Sequence, residues 1–233
     1  MGEGMCFYIA SFGYLAMVIA LFLVQVAAVQ GRGRGSMWGE LVAGVSFVAR
    51  RPVFSSLIGM TFFNSIFGMS SQILMPIFAK DILDAGSEGL GFLMSAGGVG
   101  GLLGTLTVAS LGNFRRRGWL ILSGSAVYGL TLILFAFSRS YPLSLGLLTL
   151  SGYVNFLYMT TTNTTLQFLV PDELRGRVMG LYSLTWSLFS LGGLQAGAVA
   201  TLLGATAAVA LGGAAVSAFS LGVGARFSAV RRA

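Results

Sequence analysis

The 233-residue sequence contains no histidine, a single cysteine and only 9% charged residues. Soluble proteins carry about 25% charged residues, so the supply here is too small to cover a wetted surface. The missing histidine excludes a Ser-His-Asp triad, an imidazole general base and a histidine metal ligand. The lone Cys6 excludes a disulfide framework and a cysteine-based zinc site. Because 55% of the residues are hydrophobic, these shortages indicate an integral membrane protein.

Sequence motifs for enzymatic chemistry are also lacking. The only lysine, Lys80, is not preceded by glycine, so the phosphate-binding Gly-Lys-Ser/Thr motif does not occur. The glycine-dense segment 97–104 does not fit the dinucleotide-binding GxGxxG pattern. Asp81, Asp84 and Glu88 lack the spacing of a calcium-binding loop. We therefore expect no enzymatic activity, no cofactor and no metal.

Long stretches with little charge predict seven membrane-spanning helices, because one crossing needs about 20 apolar residues. The predicted spans are Phe7–Val29, Val53–Phe78, Leu90–Leu111, Trp119–Phe137, Pro142–Val170, Val178–Leu203 and Ala205–Ala225. The last two come from one uncharged stretch that is too long for a single crossing, and Gly204 is its natural turn. The acidic start and long apolar run of the first span favour a retained helix over a cleaved signal peptide.

Basic residues are concentrated in alternate loops, and this asymmetry predicts the topology by the positive-inside rule. One side would hold Arg32, Arg34, Arg50, Arg51, Arg115, Arg116, Arg117, Arg175, Arg177, Arg226, Arg231 and Arg232. The other side would hold only Lys80 and Arg139. We expect a multi-pass membrane protein with its amino terminus outside and its carboxyl terminus in the cytoplasm. The net charge of +7 follows from this topology, so we expect no nucleic-acid partner.

The segment from Met37 to Arg51 is too short and too charged to span the membrane. Five of its apolar residues recur at helical spacing, which predicts an amphipathic helix on the inner surface. These residues are Trp38, Leu41, Val42, Val45 and Val48. Pro52 should mark its end and the start of the next span.

Neutral amides form two stripes at membrane depth and are the candidate residues of a substrate cavity. Asn64 and Gln72 are eight residues apart in the second span, with Gly68 between them. Asn155, Asn163 and Gln167 repeat the same spacing in the fifth span. Each amide alone can also serve in an interhelical hydrogen bond, worth about 0.6 kcal/mol, and this alternative stays open. Two stripes together favour a polar cavity.

Glycines spaced four apart predict close helix packing. The candidate packing residues are Gly97, Gly100, Gly101, Gly104, Gly193 and Gly197. Such small faces also suit a contact that slides between conformations, and the spacing does not separate these two roles.

The string PDELRGRVMGLY at residues 171–182, preceded by Asn-Thr-Thr-Leu-Gln at 163–167, carries a family resemblance. It resembles the cytoplasmic connection between the tenth and eleventh helices of the major facilitator superfamily, in the branch of enterobactin-exporter-like and multidrug-efflux-like permeases. Residues 40–52 resemble the linker into the seventh helix of that family, and residues 78–83 and 89–93 resemble its link from the seventh to the eighth helix.

This resemblance implies an all-α polytopic helix bundle with a defined organisation. Residues 1–30 would be a helix similar to the family's sixth, 31–52 a cytoplasmic linker, 53–225 the six-helix carboxyl half and 226–233 a cytoplasmic tail. It also implies a cytoplasmic gate, whose candidate residues are Asp172, Glu173, Arg175, Gly176 and Arg177. The charged groups could pair and unpair between conformations, and Gly176 would let the chain turn before the next helix.

Two positions depart from the family's pattern. Asn113 lies near the place where the family commonly has an aspartate between the third and fourth spans of this half. In the sixth span, Ser190 replaces a helix-bending proline. The pair of opposite charges that the family commonly has between these two spans would therefore lack its acidic member at Asn113.

The resemblance implies a secondary transporter of the bacterial inner membrane, an efflux permease for small amphipathic molecules such as drugs or siderophores, driven by an ion gradient. Family members have twelve spans, so we expect an incomplete half that does not transport alone and needs an amino-terminal half as partner. The alternatives are a non-transporting fragment, a half-subunit that must pair with an amino-terminal half, and a seven-helix receptor. The bilayer and a small-molecule substrate are the other expected partners.

Overall fold

The computed structural model describes residues 3–23, 37–112 and 117–226, and helices form nearly all of them. Eight helices in these segments are α1 Glu3–Leu23, α2 Met37–Ala49, α3 Pro52–Ile82, α4 Gly86–Leu111, α5 Arg117–Phe137, α6 Tyr141–Leu169, α7 Asp172–Leu203 and α8 Ala205–Arg226. Two of them are interrupted. Helix α3 contains π-helical turns at Asn64–Gly68 and Phe78–Ile82, and α7 is interrupted at Leu188 between Asp172–Ser187 and Phe189–Leu203.

Six of the seven predicted spans correspond to helices long and apolar enough to cross a membrane, namely α3 to α8. The expected polytopic helix bundle is therefore confirmed. For the first predicted span, the structure describes α1 with a short apolar helix at Ser11–Ala20, and residues 24–29 lie outside the described part. Gly204 makes the predicted turn between α7 and α8 with a φ of 88°.

The chain divides into two compact units, one within Met1–Ser36 and one within Met37–Ala233. In the first, the described side chains of α1 from Ser11 to Ala20 are exposed. The second contains α2 to α8 and every candidate residue of the cavity and the gate motif.

In this second unit, α6 packs between α4 and α5, and α8 packs against α5, α3 and α7. Helices α4 and α6 approach closely because their contact is made of glycine and main chain. A Cβ atom at Gly100 would lie 2.8 Å from the Tyr153 nitrogen, and one at Gly104 would lie 3.2 Å from the Leu157 nitrogen. Small residues thus allow two backbones to touch where lipid supplies no hydrophobic driving force between helices.

The buried side chains form two clusters at opposite ends of the bundle. The first cluster contains Phe54, Ile121, Leu166, Val178 and Val223, which lie where α3, α5 and α7 begin and where α6 and α8 end. The second contains residues from the opposite ends of the same helices, among them Phe78, Phe135, Leu148 and Val209. Successive helices therefore run in alternating directions.

Arginines of the described residues gather at one end of this unit. Arg50, Arg51, Arg117, Arg175, Arg177 and Arg226 all lie within a few residues of the first cluster in sequence, at its helix ends. Lys80 and Arg139 lie at the other end. We call these the arginine end and the opposite end. The remaining arginines of the topology prediction, Arg32, Arg34, Arg115, Arg116, Arg231 and Arg232, and also Asn113, lie outside the described residues.

The predicted amphipathic helix exists as α2, and it packs against α7 and α3. A Cβ atom at Gly44 would lie 3.4 Å from Arg177 Cβ, and Val48 is buried in the first cluster. Val42 and Val45 remain exposed. Of the apolar stripe predicted from the sequence, Val48 therefore faces protein, while the side chains of Trp38 and Leu41 are not described.

Candidate functional site

The two predicted amide stripes meet through one pair of side chains, Asn64 on α3 and Asn155 on α6. The Asn64 Nδ2 donates a hydrogen bond of 3.4 Å to the Asn155 Oδ1. Asn64 is fully buried and Asn155 is 5% exposed. No donor among the described residues reaches the Asn64 Oδ1, which leaves a buried acceptor unpartnered at the centre of the bundle. Such an atom is costly unless a water or a ligand group satisfies it.

The π-helical turn Asn64–Gly68 determines where these amides point. A π-helical turn holds one more residue than an α-helical turn and so rotates the residues beyond it around the helix axis. Asn64 and Gln72, expected on one face from α-helical spacing, are therefore separated, with Asn64 buried and Gln72 exposed. The buried hydroxyl of Tyr128 on α5 donates a 2.7 Å hydrogen bond to the Gly68 carbonyl and ties this turn to its neighbour.

Gly68 makes room for the buried amide. A Cβ atom at Gly68 would collide with the Asn64 Oδ1 and would lie 2.9 Å from the Tyr128 ring. Any larger residue would displace the Asn64 side chain or open the contact with α5. Gly68 is thus required because the buried Asn64 side chain packs against it.

A cavity of about 270 Å³ adjoins the amide pair. Helices α3 to α6 all contribute to its wall, with Gln72, Asn155, Ser71, Ser151, Tyr128 and Gly97 among the lining residues. Met75, Leu93, Leu148 and Phe156 supply apolar wall. Few polar groups on a largely apolar surface are typical of small-molecule sites. Gln72 and Asn155 therefore lie on the wall of one cavity, and their role in binding a substrate stays a prediction.

Asn163 and Gln167 lie elsewhere, nearer the arginine end. The Gln167 Nε2 donates a hydrogen bond to the Asn163 Oδ1 one turn earlier on α6. Asn163 lines a separate groove of about 340 Å³ together with Tyr182 and Trp186 of α7. The five predicted amides therefore divide into an inner group, Asn64, Gln72 and Asn155, and an outer pair.

The predicted gate motif begins a helix instead of forming a loop. The chain turns at Pro171, where φ is −56° and ψ is 145°, and α7 starts at Asp172. The expectation of a turn at Gly176 was wrong, because Gly176 lies inside α7 and nothing lies within 4 Å of the Cβ position. Proline cannot continue the preceding helix, whereas glycine at an exposed helical position only lowers helix propensity.

Three of the four charged residues of this motif, Asp172, Glu173 and Arg175, are exposed on the first turns of α7. Arg175 forms a 2.6 Å ion pair with Asp172, which is 85% exposed at its side chain, and Glu173 is also exposed. Arg177 is half-buried beside Gly44 of α2. An exposed pair of this kind contributes about 0–1 kcal/mol to stability, so these charges are free to exchange partners at little cost.

The predicted packing glycines have unequal surroundings. Gly97, Gly101 and Gly104 of α4 contact Gly152, Phe156 and Tyr153 of α6. On α7, nothing lies within 4 Å of a Cβ atom placed at Gly197, and at Gly193 the nearest atom is the flexible end of Ile73.

The tight contact of α7 is made by Gly192, which the sequence analysis did not single out. Its Cβ position lies 2.7 Å from the Ser65 and Ile66 carbonyls. Gly129 and Gly213, also missed, bring α5 and α8 together backbone to backbone. The adjacent pairs Gly192-Gly193 and Gly212-Gly213 signal small faces, but only the helix rotation decides which member faces its neighbour.

Comparisons with known proteins agree with the resemblance found in the sequence. The profile of the transmembrane secretion effector family, a branch of the major facilitator superfamily, matches residues 1–231. The multidrug efflux pump Tap of Mycolicibacterium fortuitum is 29% identical over 198 residues, which cover 81% of this chain and 48% of that protein. The enterobactin exporter EntS of Shigella boydii and of Escherichia coli is 28% identical over 146 residues, covering 62% of this chain and 34% of the exporter.

The chain thus spans about half or less of the length of the curated relatives it matches. No solved structure matches it. The receptor alternative falls away, because the matched family consists of transporters. By its match over nearly the whole length and by its bundle of apolar helices, the chain belongs to the transmembrane secretion effector family of the major facilitator superfamily.

Proposed function

We propose that helices α3 to α8 form one half of a secondary active efflux permease for small amphipathic molecules, and that a second helical unit completes its substrate pathway. The observation that carries this proposal is the buried amide pair Asn64–Asn155 beside the cavity that Gln72 lines. Polar groups at membrane depth are costly and usually mark a substrate path.

The chemistry of the cavity suits uncharged, hydrogen-bonding parts of amphipathic molecules. Amides and hydroxyls can donate to or accept from a polar substituent, and Met75, Leu93 and Phe156 can pack against an aromatic or aliphatic body. The named activities of two relatives, multidrug efflux and enterobactin export, concern amphipathic cargo of this general kind. The substrate class proposed here rests on that similarity and on the lining residues.

Orientation and coupling form part of the same proposal. Arginines gathered at one end support a cytoplasmic location for that end, which would place the Asp172–Arg177 motif at an inner gate. The described parts of α3 to α8 contain no ionisable carboxylate between their ends. We therefore propose that an ion gradient drives transport through residues outside these helices.

The second helical unit is proposed from the exposed surface of the bundle. Helices α4 and α7 have the smallest buried share among the six, and their exposed apolar residues include Phe92, Leu102, Leu191 and Leu194. In the relatives, the matched segment is accompanied by as much chain again or more. A second half packed on these faces would turn an open groove into an enclosed path.

The proposal is tested by dye efflux from cells of a bacterium that lacks its own multidrug pumps. Cells would express this chain alone, or this chain joined to the part of Tap outside the matched segment, and ethidium efflux would be followed by fluorescence. We expect efflux from the joined protein, its abolition by an ionophore that dissipates the proton gradient, and none from the chain alone. Efflux by the chain alone would contradict the half-permease assignment, and no efflux from a joined protein present in the membrane would contradict the transport function.

The cavity assignment is tested in the same cells with variants of the joined protein. Gln72→Ala removes an exposed amide from the cavity wall without disturbing buried contacts, so it should change the efflux rate at unchanged protein level. Ser123→Ala is the matched control, because Ser123 is exposed on α5, lies outside this cavity and bonds only to its own helix at Trp119. Equal rates for both variants would contradict the cavity assignment.

A further inference from the structure

The groove between α6 and α7 is separate from the cavity assigned above to the substrate. Its volume is about 340 Å³, and all of its lining residues lie within the described parts of these two helices. The groove exists because α6 and α7, although consecutive in the chain, make few contacts with each other. On α6 its lining residues recur every three or four positions from Phe156 to Asn163, and on α7 they are Tyr182 and Trp186, one turn apart. Each helix thus presents one face to the groove.

Aromatic side chains from both helices line this groove. The rings of Phe156 on α6 and Trp186 on α7 are 44% and 38% exposed, whereas Tyr182 is buried. Exposed rings on two sides of one space suit a flat aromatic molecule, because aromatic pairs are favourable beyond the area that they bury. No charged residue lines the groove, so the groove matches a ring whose substituents are uncharged.

Neutral hydrogen-bonding groups lie along the same groove. Thr160 and Thr164 are one turn apart on α6, and no group of the described residues bonds to either hydroxyl. The neighbouring Thr161, in contrast, donates to a carbonyl of its own helix at 2.7 Å. A hydroxyl or amide on a bound ring can therefore bond to Thr160 or Thr164 without breaking an existing hydrogen bond.

Phe156 separates this groove from the cavity beside the amide pair, because its side chain lines both spaces. Gly101 of α4 allows the ring to lie there. A Cβ atom at Gly101 would lie 2.7 Å from the Phe156 Cδ2, so a larger residue would displace the ring. The two spaces are thus neighbours along α6, with one aromatic side chain between them.

We propose that the groove between α6 and α7 is a second substrate subsite, which holds a planar aromatic ring bearing an uncharged hydroxyl or amide group. The ring lies against Trp186 and Phe156, and its polar group bonds to Thr160 or Thr164. This inference rests on the proposed efflux function, in which the cavity beside Gln72 and this groove act as successive stations of one path. An aliphatic molecule of the same size lacks the aromatic contacts and binds more weakly.

Tryptophan fluorescence tests binding in the groove, because Trp186 lines it and Trp119 of α5 does not. Two single-tryptophan forms of the full chain carry Trp38→Phe together with either Trp119→Phe or Trp186→Phe. The probe is 2-naphthol, whose absorption overlaps tryptophan emission, and the chains are held in phosphatidylcholine nanodiscs. We expect saturable quenching of Trp186 and a non-saturable rise in quenching of Trp119, which reports probe dissolved in lipid. Identical quenching curves for the two forms would overturn the site.

The preference for an aromatic ring is tested by displacement in the form that retains Trp186. Decahydro-2-naphthol has the same hydroxyl group on a saturated ring system. We expect that it does not reverse the quenching at a concentration equal to that of 2-naphthol. Complete reversal at that concentration would mean that the groove accepts any apolar molecule, and it would overturn the aromatic assignment.

The affinity is measured separately by equilibrium dialysis of radiolabelled 2-naphthol, with empty nanodiscs as the background. Trp186→Leu should weaken binding by about threefold to tenfold, as expected for the loss of one aromatic pair. Trp119→Leu is the matched control, because Trp119 is also exposed but lies outside the groove, and it should bind as the unaltered chain does. Equal affinities of the two variants would overturn the site.

Efflux by the joined protein separates a failure of this subsite from a failure of the proposed function. Saturable binding of 2-naphthol without any ethidium efflux would confirm the aromatic site and contradict the transport function. Efflux without saturable binding would overturn the second subsite alone. Binding that the isolated chain shows and the joined protein loses would also overturn it, because the second helical unit would then occupy the groove.

Discussion

Gly100→Ala tests whether α4 and α6 are locked together by main-chain contact. An added Cβ atom would lie 2.8 Å from both the Thr149 carbonyl carbon and the Tyr153 nitrogen, with the Thr149 oxygen closer still. Ordinary contact begins near 3.4 Å, so these two contacts alone require the helices to separate by about 0.6 Å, and the closer Thr149 oxygen requires a larger separation. Backbone atoms in the middle of a helix cannot move aside as a side chain can. Overpacking of this kind costs about 1–3 kcal/mol, and this site should lie at the upper end of that range.

The matched control is Gly98→Ala, two residues earlier on the same helix, where nothing lies within 4 Å of the Cβ position. Both variants gain the same helix propensity, about 1 kcal/mol in water, so their difference isolates the contact with α6. The assay is equilibrium unfolding of purified protein in mixed detergent micelles, followed by circular dichroism. We expect Gly100→Ala to unfold at lower denaturant and Gly98→Ala to be unchanged or slightly more stable. Equal stability of the two would refute the packing of α4 on α6 described above.

Three further predictions concern other contacts. Asn64→Leu and Asn155→Leu should each lower the free energy of unfolding of the bundle. In a double-mutant cycle measured in micelles, the double variant should lose about 0.6 kcal/mol less than the sum of the two single losses. A coupling energy of zero would contradict the hydrogen bond between the two amides. Tyr128→Phe should cost about 1 kcal/mol in the same unfolding assay, because it removes the hydrogen bond to the Gly68 carbonyl. Arg175→Gln should change the free energy of unfolding by less than about 1 kcal/mol, because the ion pair of Arg175 is exposed. If the motif acts as the gate, the same variant should slow efflux by the complete permease. Unchanged efflux would mean that Arg175 contributes only to membrane topology.

The spans could be predicted because the membrane imposes a length and excludes charge. Each of α3 to α8 overlaps a predicted span, and Gly204 makes the turn expected of it. The predicted starts were late, since Gly86 and Asp172 begin helices in which the apolar stretch starts only several residues further on. Charged first turns remain helical because water and local ion pairs satisfy them outside the hydrocarbon.

The interior of the site could not be predicted to the same degree, because it depends on the phase of each helix. An α-helical period places Asn64 and Gln72 on one face, but the π-helical turn beginning at Asn64 shifts everything after it. Nothing in the local sequence distinguishes this turn from a continuous helix. The rotation of α7 about its own axis was equally unknown. For this reason Gly193 was predicted as a packing residue, whereas its neighbour Gly192 makes the close contact with α3. Residue spacing reports a face only as long as the helix remains regular.

The close contacts of the bundle also separate its fixed parts from its loosely held ones. Main-chain contacts at glycines join α4 to α6 and α5 to α8, and such contacts leave no side chain that could change rotamer to allow sliding. Helix α7 is held in this way at Gly192 alone among its glycines, is interrupted at Leu188 and is the least buried of the six. Alternating access requires some helices to keep their relation while others change it. Asn155 of the amide pair lies on α6, within the fixed part, whereas the Asp172–Arg177 motif lies on α7. The proposed gate therefore belongs to the helix with the fewest main-chain contacts, and it can move while Asn155 keeps its place against α4.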